Sequence, residues 1–299
     1  AQSGVKDIFG DKALEAELLS KNIKFSSANS INWGRLVPQI VYYFSAYCDL
    51  VNRGKVKYPE KINICVPTGN FGNILAAYYA MRMGLPVNKL ICASNRNNIL
   101  TDFIKTGVYD RNREFFTTTS PSMDILISSN LERLLYELSG RDDAKIKEWF
   151  TSLKENGKYE VSPEVLNELK SVFESGYCGD EETAAEIKRV YDEFGYLIDT
   201  HTAVGSFVYE NYRKTSGDDT PVVIASTASP YKFCSSVLSA LEGRDSSGEN
   251  EFEIMRRLEK LTNTAAPKQL KNLEGVSPRF TEVYDKKDMR QAVFSMLNI

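Results

Sequence analysis

Histidine occurs once in these 299 residues, at His201, and that scarcity excludes more chemistry than any other feature of the composition. A His-Glu-x-x-His zinc site needs two histidines and is ruled out. A Ser–His–Asp hydrolase would have to use His201, and no Gly-x-Ser-x-Gly turn accompanies it. Cysteine is sparse too: Cys48, Cys65, Cys92, Cys178 and Cys234 are an odd, widely spaced set without a Cys-x-x-Cys pair. Such spacing predicts reduced core thiols rather than disulfides or metal ligands, and suits a cytoplasmic protein. No apolar stretch approaches the roughly 18 residues of a spanning helix, and no basic, apolar signal segment opens the chain. Neither Gly-x-Gly-x-x-Gly nor the Lys-Ser/Thr of a P-loop is present, which weakens dinucleotide and nucleoside-triphosphate readings.

No sign of charge dominates either. Lys and Arg number 37 against 40 Asp and Glu, a net charge of -3. That balance excludes a nucleic-acid or anionic-membrane surface spread over the whole molecule. With 42% hydrophobic and 26% charged residues the chain is globular in composition. Its length allows one large or two ordinary domains and a substantial core.

The apolar pattern changes along the chain. Val5 to Lys21 reads as an amphipathic helix, and Trp33 to about Val51 as a second, with Pro38 near its first turn. Ile62-Asn63-Ile64-Cys65-Val66 is a short buried strand, and Ile74 to Met83 a helix closed by Gly84. Lys89 to Ser94 is another strand, followed by a helix from Ile99 to Thr106. Strand, loop, helix, repeated, predicts an α/β protein whose parallel sheet is covered by helices on its faces. Asp142 to Phe194 reads as charged and helical, interrupted at Gly157 and around Gly176 to Gly179. A helix follows His201 through Tyr212. A third strand is expected at Pro221 to Ser226, then helices at Lys232 to Leu241 and Glu251 to Leu261.

Three loops in strand-to-helix settings are candidates for chemistry. Gly69-Asn70-Phe71-Gly72-Asn73 places glycines where a backbone can turn sharply and approach a ligand. The helix behind it would offer free N–H groups to an anion such as phosphate. A plain connecting turn is an equal reading. Ser226-Thr227-Ala228-Ser229-Pro230 follows the third strand; in a parallel sheet it would face the same crevice. N-capping alone accounts for its hydroxyls as well. Ser94-Asn95-Arg96-Asn97-Asn98 is a polar loop suited to substrate or, more simply, to turn chemistry. His201, within Asp199-Thr200-His201-Thr202-Ala203-Val204-Gly205, is read first as a hydrogen-bonded structural residue.

Taken in order, Ser27 to Trp33, Val66 to Asn73, Thr119 to Ile125, Ser128 to Arg133, His201 to Gly205 and Ser226 to Phe233 resemble threonine synthase, in its longer bacterial and fungal type. The resemblance runs from near residue 5 to beyond 240. It implies a fold-type II enzyme that uses pyridoxal 5'-phosphate (PLP) to convert O-phosphohomoserine and water into threonine and phosphate. By similarity Gly69, Asn70, Phe71, Gly72 and Asn73 would cradle the cofactor phosphate, and Thr227 would hydrogen-bond the pyridine nitrogen. Ser30, Asn32 and Arg35 would be substrate contacts, Arg35 through a bidentate grip on an anion; a structural helix start is an equal reading of all three. At Ser229 many relatives carry His, so no role is transferred to that side chain.

The family's Schiff-base lysine lies in a Phe-Lys-Asp motif upstream of the matched region, and no Phe-Lys-Asp occurs here. Lys6, in Val5-Lys6-Asp7-Ile8, belongs to the first helix and is a poor substitute, since such a lysine needs a desolvated pocket. The expectation is therefore a C-terminal portion of the enzyme, catalytically incomplete. Residues 1–58 would be the remainder of a smaller domain with a connecting helix, and 59–299 a larger α/β domain with a helical end. Exposed apolar surface and self-association are expected with it. Two rivals stand beside this reading. One is a non-catalytic binder or sensor of a phosphorylated metabolite. The other is a nucleotide-binding domain, disfavoured because Ser94-Asn95-Arg96 lacks the acidic residue that holds a ribose.

Overall fold

The computed structural model describes residues 4, 8–26 and 32–298. The chain folds as two compact units, Ala1–Asn29 with Asn272–Ile299, and Ser30–Lys271. The first unit contains helix α1 (Lys12–Ser20), capped by Asp11, and a C-terminal helix, Met289–Leu297. Leu14 and Leu18 are the buried residues of α1, and Arg290 reaches both Asp11 and Glu17 at 3.3 and 3.2 Å. Lys6 lies outside the described residues.

The second unit opens with α2 (Trp33–Asn52), then β1 (Ile62–Pro67), α3 (Gly72–Arg82), β2 (Val87–Ser94), α4 (Ile99–Thr106) and β3 (Val108–Asp110). It continues with α5 (Leu131–Leu138), α6 (Asp143–Asn156), β4 (Lys158–Glu160), α7 (Pro163–Val172), β5 (Phe173–Tyr177) and α8 (Asp180–Phe194). After these come α9 (Thr200–Ser216), β6 (Val222–Ile224), α10 (Cys234–Glu242), α11 (Glu251–Thr262) and the short α12 (Lys268–Lys271). The sheet runs in the order β5-β2-β1-β6 and every pair in it is parallel. β3 and β4 form a separate antiparallel pair, with Tyr109 stacked on Tyr159.

Strand residues alternate between two covered faces. Ile62, Ile64 and Val66 of β1 pack in a core with Ile74, Leu75 and Tyr78 of α3. Cys65, Ile91 and Ala93 face the other way, onto Val204, Val208 and Tyr209 of α9. Helices on both faces explain the near-continuous apolar character of β1. Each fully buried Ile or Val there contributes on the order of 1.5–3 kcal/mol. Cys65 and Cys92 are interior thiols, and burial pushes Cys92 up to about 12. Cys48 departs from the expectation: it lies exposed on α2.

β5 is hidden in the sequence. The stretch from Asp142 to Phe194 reads as helix, yet Phe173-Glu174-Ser175-Gly176-Tyr177 pairs along β2, Leu90 with Phe173 through Ser94 with Tyr177. As the edge strand it carries polar residues, so the apolar run that betrays β1 is missing. Gly176 serves this packing: a Cβ there would sit 2.8 Å from Cγ1 of Val208, so α9 lies against bare backbone. No helix among the described residues is long and apolar enough to cross a membrane.

Gly176→Ala is expected to cost about 1–3 kcal/mol by overpacking, measured by urea unfolding. Adding Val208→Ala should recover at least half of that loss in a double-mutant cycle. An additive pair would show that Gly176 matters for another reason.

Candidate functional site

In a parallel sheet the carboxyl ends of the strands share one edge, and ligands bind where neighbouring connections leave in opposite directions. Here β2 lies on one side of β1 and β6 on the other. The turn after β1 and the loop after β6 therefore adjoin. The last rungs between the two strands pair Cys65 with Ile224, and the Ala225 N–H donates to the Cys65 carbonyl at 2.9 Å.

The glycine turn has its carbonyls satisfied and its N–H groups unsatisfied. The Gly69 carbonyl accepts from the Ser128 hydroxyl at 2.8 Å. The Asn70 carbonyl accepts twice from Asn130, from its backbone N–H at 3.1 Å and its side-chain amide at 2.8 Å. Among the described residues, the backbone N–H groups of Gly69, Asn70, Phe71, Gly72 and Asn73 meet no protein acceptor. Gly69, Phe71 and Gly72 are buried and the two asparagines partly so. Buried N–H groups without acceptors are rare in folded proteins and costly, unless a ligand completes them. The row runs into the amino end of α3, which begins at Gly72, so the helix dipole adds to its preference for an anion.

The turn is also strained. Phe71 adopts a left-handed conformation, φ 65°, unusual for a residue with a bulky side chain. Its ring is buried and packs on Phe173, with centroids 5.8 Å apart. Gly69 is required for another reason: a Cβ would stand 2.7 Å from the Ser122 carbonyl oxygen and 3.2 Å from the Met123 Cα. The Asn73 side chain is occupied, because the Tyr43 hydroxyl of α2 donates to its Oδ1. Burial pushes the Tyr43 hydroxyl well above its ordinary value, which keeps it a donor. Asn73 therefore offers an anion its backbone N–H.

Segment 116–130, which grips the turn, is itself held from β2. Asn95 donates to the Thr118 hydroxyl at 2.8 Å and to Asp124 at 2.7 Å; Asn97 donates to the Phe116 carbonyl at 2.8 Å. Both asparagines are buried. Arg96 lies over the Phe116 ring, 3.7 Å from its centroid. The polar loop after β2 is thus a bracket, in keeping with its turn-chemistry reading.

Thr227 is exposed, and among the described residues its hydroxyl has no protein partner. Its neighbour Ser226 shares a hydrogen bond with the Thr202 hydroxyl at 3.2 Å, and Ser229 caps the following 3-10 turn through the Tyr231 N–H. Asn32 caps α2, accepting from the Gly34 N–H at 2.9 Å, and Arg35 is exposed in the first turn of that helix. Ser30 lies outside the described residues. Trp33 brings this helix start beside α5, edge-on to Tyr79 and 6.0 Å from Arg133. A cleft of about 800 Å3 opens there, between Trp33, Tyr79, Arg133, Tyr136, Ile146 and Phe150. Ser122, Ser128 and Asn130 carry no role in the sequence reading, since their contacts to the turn cross some sixty positions of chain.

These features define a parallel α/β protein in which a strained glycine turn, its N–H groups without acceptors among the described residues, runs into the amino end of a helix. The comparisons with known proteins narrow the class. Residues 202–293 match the family model described as threonine synthase, C-terminal. Human threonine synthase-like 1 is 44% identical over 243 residues, 81% of this chain and 32% of that protein. Threonine synthase from Saccharomyces cerevisiae is 39% identical over 287 residues, 91% of this chain and 54% of the yeast enzyme. Among solved structures, PLP-bound threonine synthase from Brucella melitensis superposes with a TM-score of 0.78 at 37% identity, over 98% of this chain and 56% of that one. The yeast enzyme superposes at 0.79 and 36% identity, over 99% and 57%. The chain belongs to the threonine synthase family and has its fold. It spans about a third of human threonine synthase-like 1 and about half of the yeast enzyme.

Gly69→Ala is expected to destabilise the chain by about 1–3 kcal/mol, because the new methyl meets backbone that no rotamer change can move aside. Thermal unfolding measures this. A loss below about 0.5 kcal/mol, the scale of an ordinary surface substitution, would mean that the Ser122 contact is soft.

Proposed function

We propose that this chain carries the binding half of a PLP-dependent lyase site, acting in the conversion of O-phosphohomoserine and water to threonine and phosphate. The observation that carries this reading is the row of backbone N–H groups from Gly69 to Asn73, buried or partly buried, without protein acceptors among the described residues. A phosphate monoester fits it: several oxygens, each able to accept, facing consecutive backbone donors at a helix amino end. Thr227 fits the other end of the cofactor. Its hydroxyl, unpaired among the described residues, follows the neighbouring strand and can donate to, or accept from, a ring nitrogen. When bound, PLP would supply an electron sink for bond-breaking beside a substrate's amino-bearing carbon.

The chain's own residues then divide the work. The turn fixes the phosphate, Thr227 fixes the far side of the ring, and the carbonyls of Gly69 and Asn70 are kept out of the phosphate's reach by Ser128 and Asn130. A hydroxyl at Thr227, unlike a carboxylate, does not force the ring nitrogen to hold a proton. Asn32 and Arg35 at the start of α2 would meet the substrate's anionic groups together with Ser30. No Phe-Lys-Asp sequence occurs in the 299 residues. These residues are therefore assigned binding and orientation, and no lysine among them is named as the point of covalent attachment.

A second reading has its own support. The relatives at 44% identity are named threonine synthase-like, a name that claims no threonine-forming activity. A non-catalytic phosphate-metabolite binder would use the same turn. Self-association is also proposed, through α2: Trp33, Val37 and Val41 recur four residues apart on one face and are 50%, 39% and 63% exposed.

Calorimetric titration should show inorganic phosphate binding and competing with PLP. Thr227→Val should leave phosphate affinity unchanged while weakening PLP about fivefold to tenfold, the worth of one hydrogen bond. Borohydride reduction of the PLP-loaded chain should label no single lysine stoichiometrically. No phosphate binding would sink the cradle; one stoichiometric lysine would return the nucleophile to this chain. In sedimentation velocity, Val37→Ser with Val41→Ser should abolish concentration-dependent association; an unchanged profile would clear α2 of that role.

A further inference from the structure

His201 is a buried titratable side chain beside this site that the proposed chemistry does not use. The residue is 2% exposed, and its ring is tilted against Phe233 with centroids 4.8 Å apart. Nε2 accepts from the Ser122 backbone N–H at 3.2 Å, and Nδ1 lies 3.2 Å from Asp199 Oδ1. An acceptor at Nε2 leaves the proton on Nδ1, donated to Asp199. Asp199 is fully buried and fixed in turn. It caps α9, accepting from the His201 and Thr202 N–H groups and from the Thr202 hydroxyl. Burial would raise its carboxyl, but the His201 and Thr202 donors hold it below the ordinary carboxylate value. The imidazole lone pair is therefore already committed to a backbone amide, which argues against a general base.

Ser122 sits between this pair and the glycine turn. Its N–H goes to His201, while its carbonyl oxygen is the atom nearest to where a Gly69 Cβ would be. We propose that His201, oriented by Asp199, is a positioning residue that pins Ser122 against Gly69 and thereby sets the conformation of the Gly69–Asn73 turn. The chemistry asks for histidine at this place. One rigid ring must accept on one edge from a backbone N–H and donate on the other to a buried carboxylate. The functional weight of this strut rests on the phosphate-cradle reading; its mechanical part does not.

Hydrogen exchange on the ligand-free 299-residue chain tests it through the amides that hold the turn: Ser122, Leu75 bonded to the Phe71 carbonyl, and Asn130 bonded to the Asn70 carbonyl. In His201→Leu these amides should exchange about tenfold faster or more, tenfold corresponding to about 1.4 kcal/mol. The β2 amides from Leu90 to Ala93 should stay slow. His201→Gln places an amide oxygen near the Nε2 position and should return Leu75 and Asn130 to within about threefold of wild type, since most of one hydrogen bond is restored. Asp199→Asn, which frees the tautomer, should fall between the two and serves if His201→Leu does not fold. Unchanged exchange at Leu75 and Asn130 in both His201→Leu and Asp199→Asn, or in Asp199→Asn alone if His201→Leu does not fold, overturns the proposal. So does a His201→Gln chain that behaves like His201→Leu. A separate titration of wild type with inorganic phosphate tests the cradle: no binding there removes the cradle and leaves the exchange result to decide the strut.

Discussion

Five successive backbone N–H groups, without acceptors among the described residues and held in a largely buried turn, are the constraint around which this part of the molecule is organised. Left to itself a chain would relax such a turn, rotating peptides until the donors found carbonyls or water. It is prevented here by satisfying the carbonyls instead. With Gly69 and Asn70 bonded to Ser128 and Asn130, rotation of either peptide breaks bonds already made. Each is a net contribution of about 0.5–1.5 kcal/mol, small singly and sufficient together to hold an unfavourable φ at Phe71. Strain and orphaned donors thus share one cause, a turn shaped for something other than its own stability.

The support for that turn comes from loops far apart in sequence and near in space because the sheet is parallel. Asn95 and Asn97 follow β2, His201 opens α9, and both act on the same segment between Phe116 and Asn130. Neither bracket touches the turn directly. A segment without regular secondary structure over most of its length has become the rigid intermediary, because its polar atoms are taken up on both sides. Loops normally carry mobility; this one carries precision, at the expense of a dense buried polar network that must be fully satisfied.

What is legible in the sequence follows from the same physics. β1, α3 and β2 are readable because burial on both faces makes a strand uniformly apolar, and Gly107 closes α4 in a left-handed cap as expected of a glycine there. The glycine turn announces itself through Gly69 and Gly72, although the sequence alone leaves a plain connection equally open. β5 does not show, since an edge strand with Glu174, Ser175 and Gly176 has the composition of a loop. The antiparallel pair of β3 and β4 escapes for a related reason: three residues are too few for alternation to register. Ser122, Ser128 and Asn130 are in view as part of a resemblance, but their purpose is a contact, and contacts across sixty residues leave no local pattern. His201 reads first as a hydrogen-bonded structural residue; the structure gives each ring nitrogen a partner.

Family membership and chemical competence are different properties, and they rest on different residues. Its fold is that of threonine synthase, while its length is about half or less of the relatives it matches. A cradle is a property of backbone, fixed by a turn and its brackets, and the turn described here lies entirely within these residues. Bond-making at a substrate carbon needs a nucleophile and a closed, water-free pocket, which draw on more of the protein. A sequence can thus keep the first and not contain the second. In this chain glycines, capping hydroxyls and a buried His–Asp pair stand around the turn, and none of them is itself a bond-making group. Activity therefore has to be read from the reacting groups, and the residues that shape the turn and its supports do not by themselves report it.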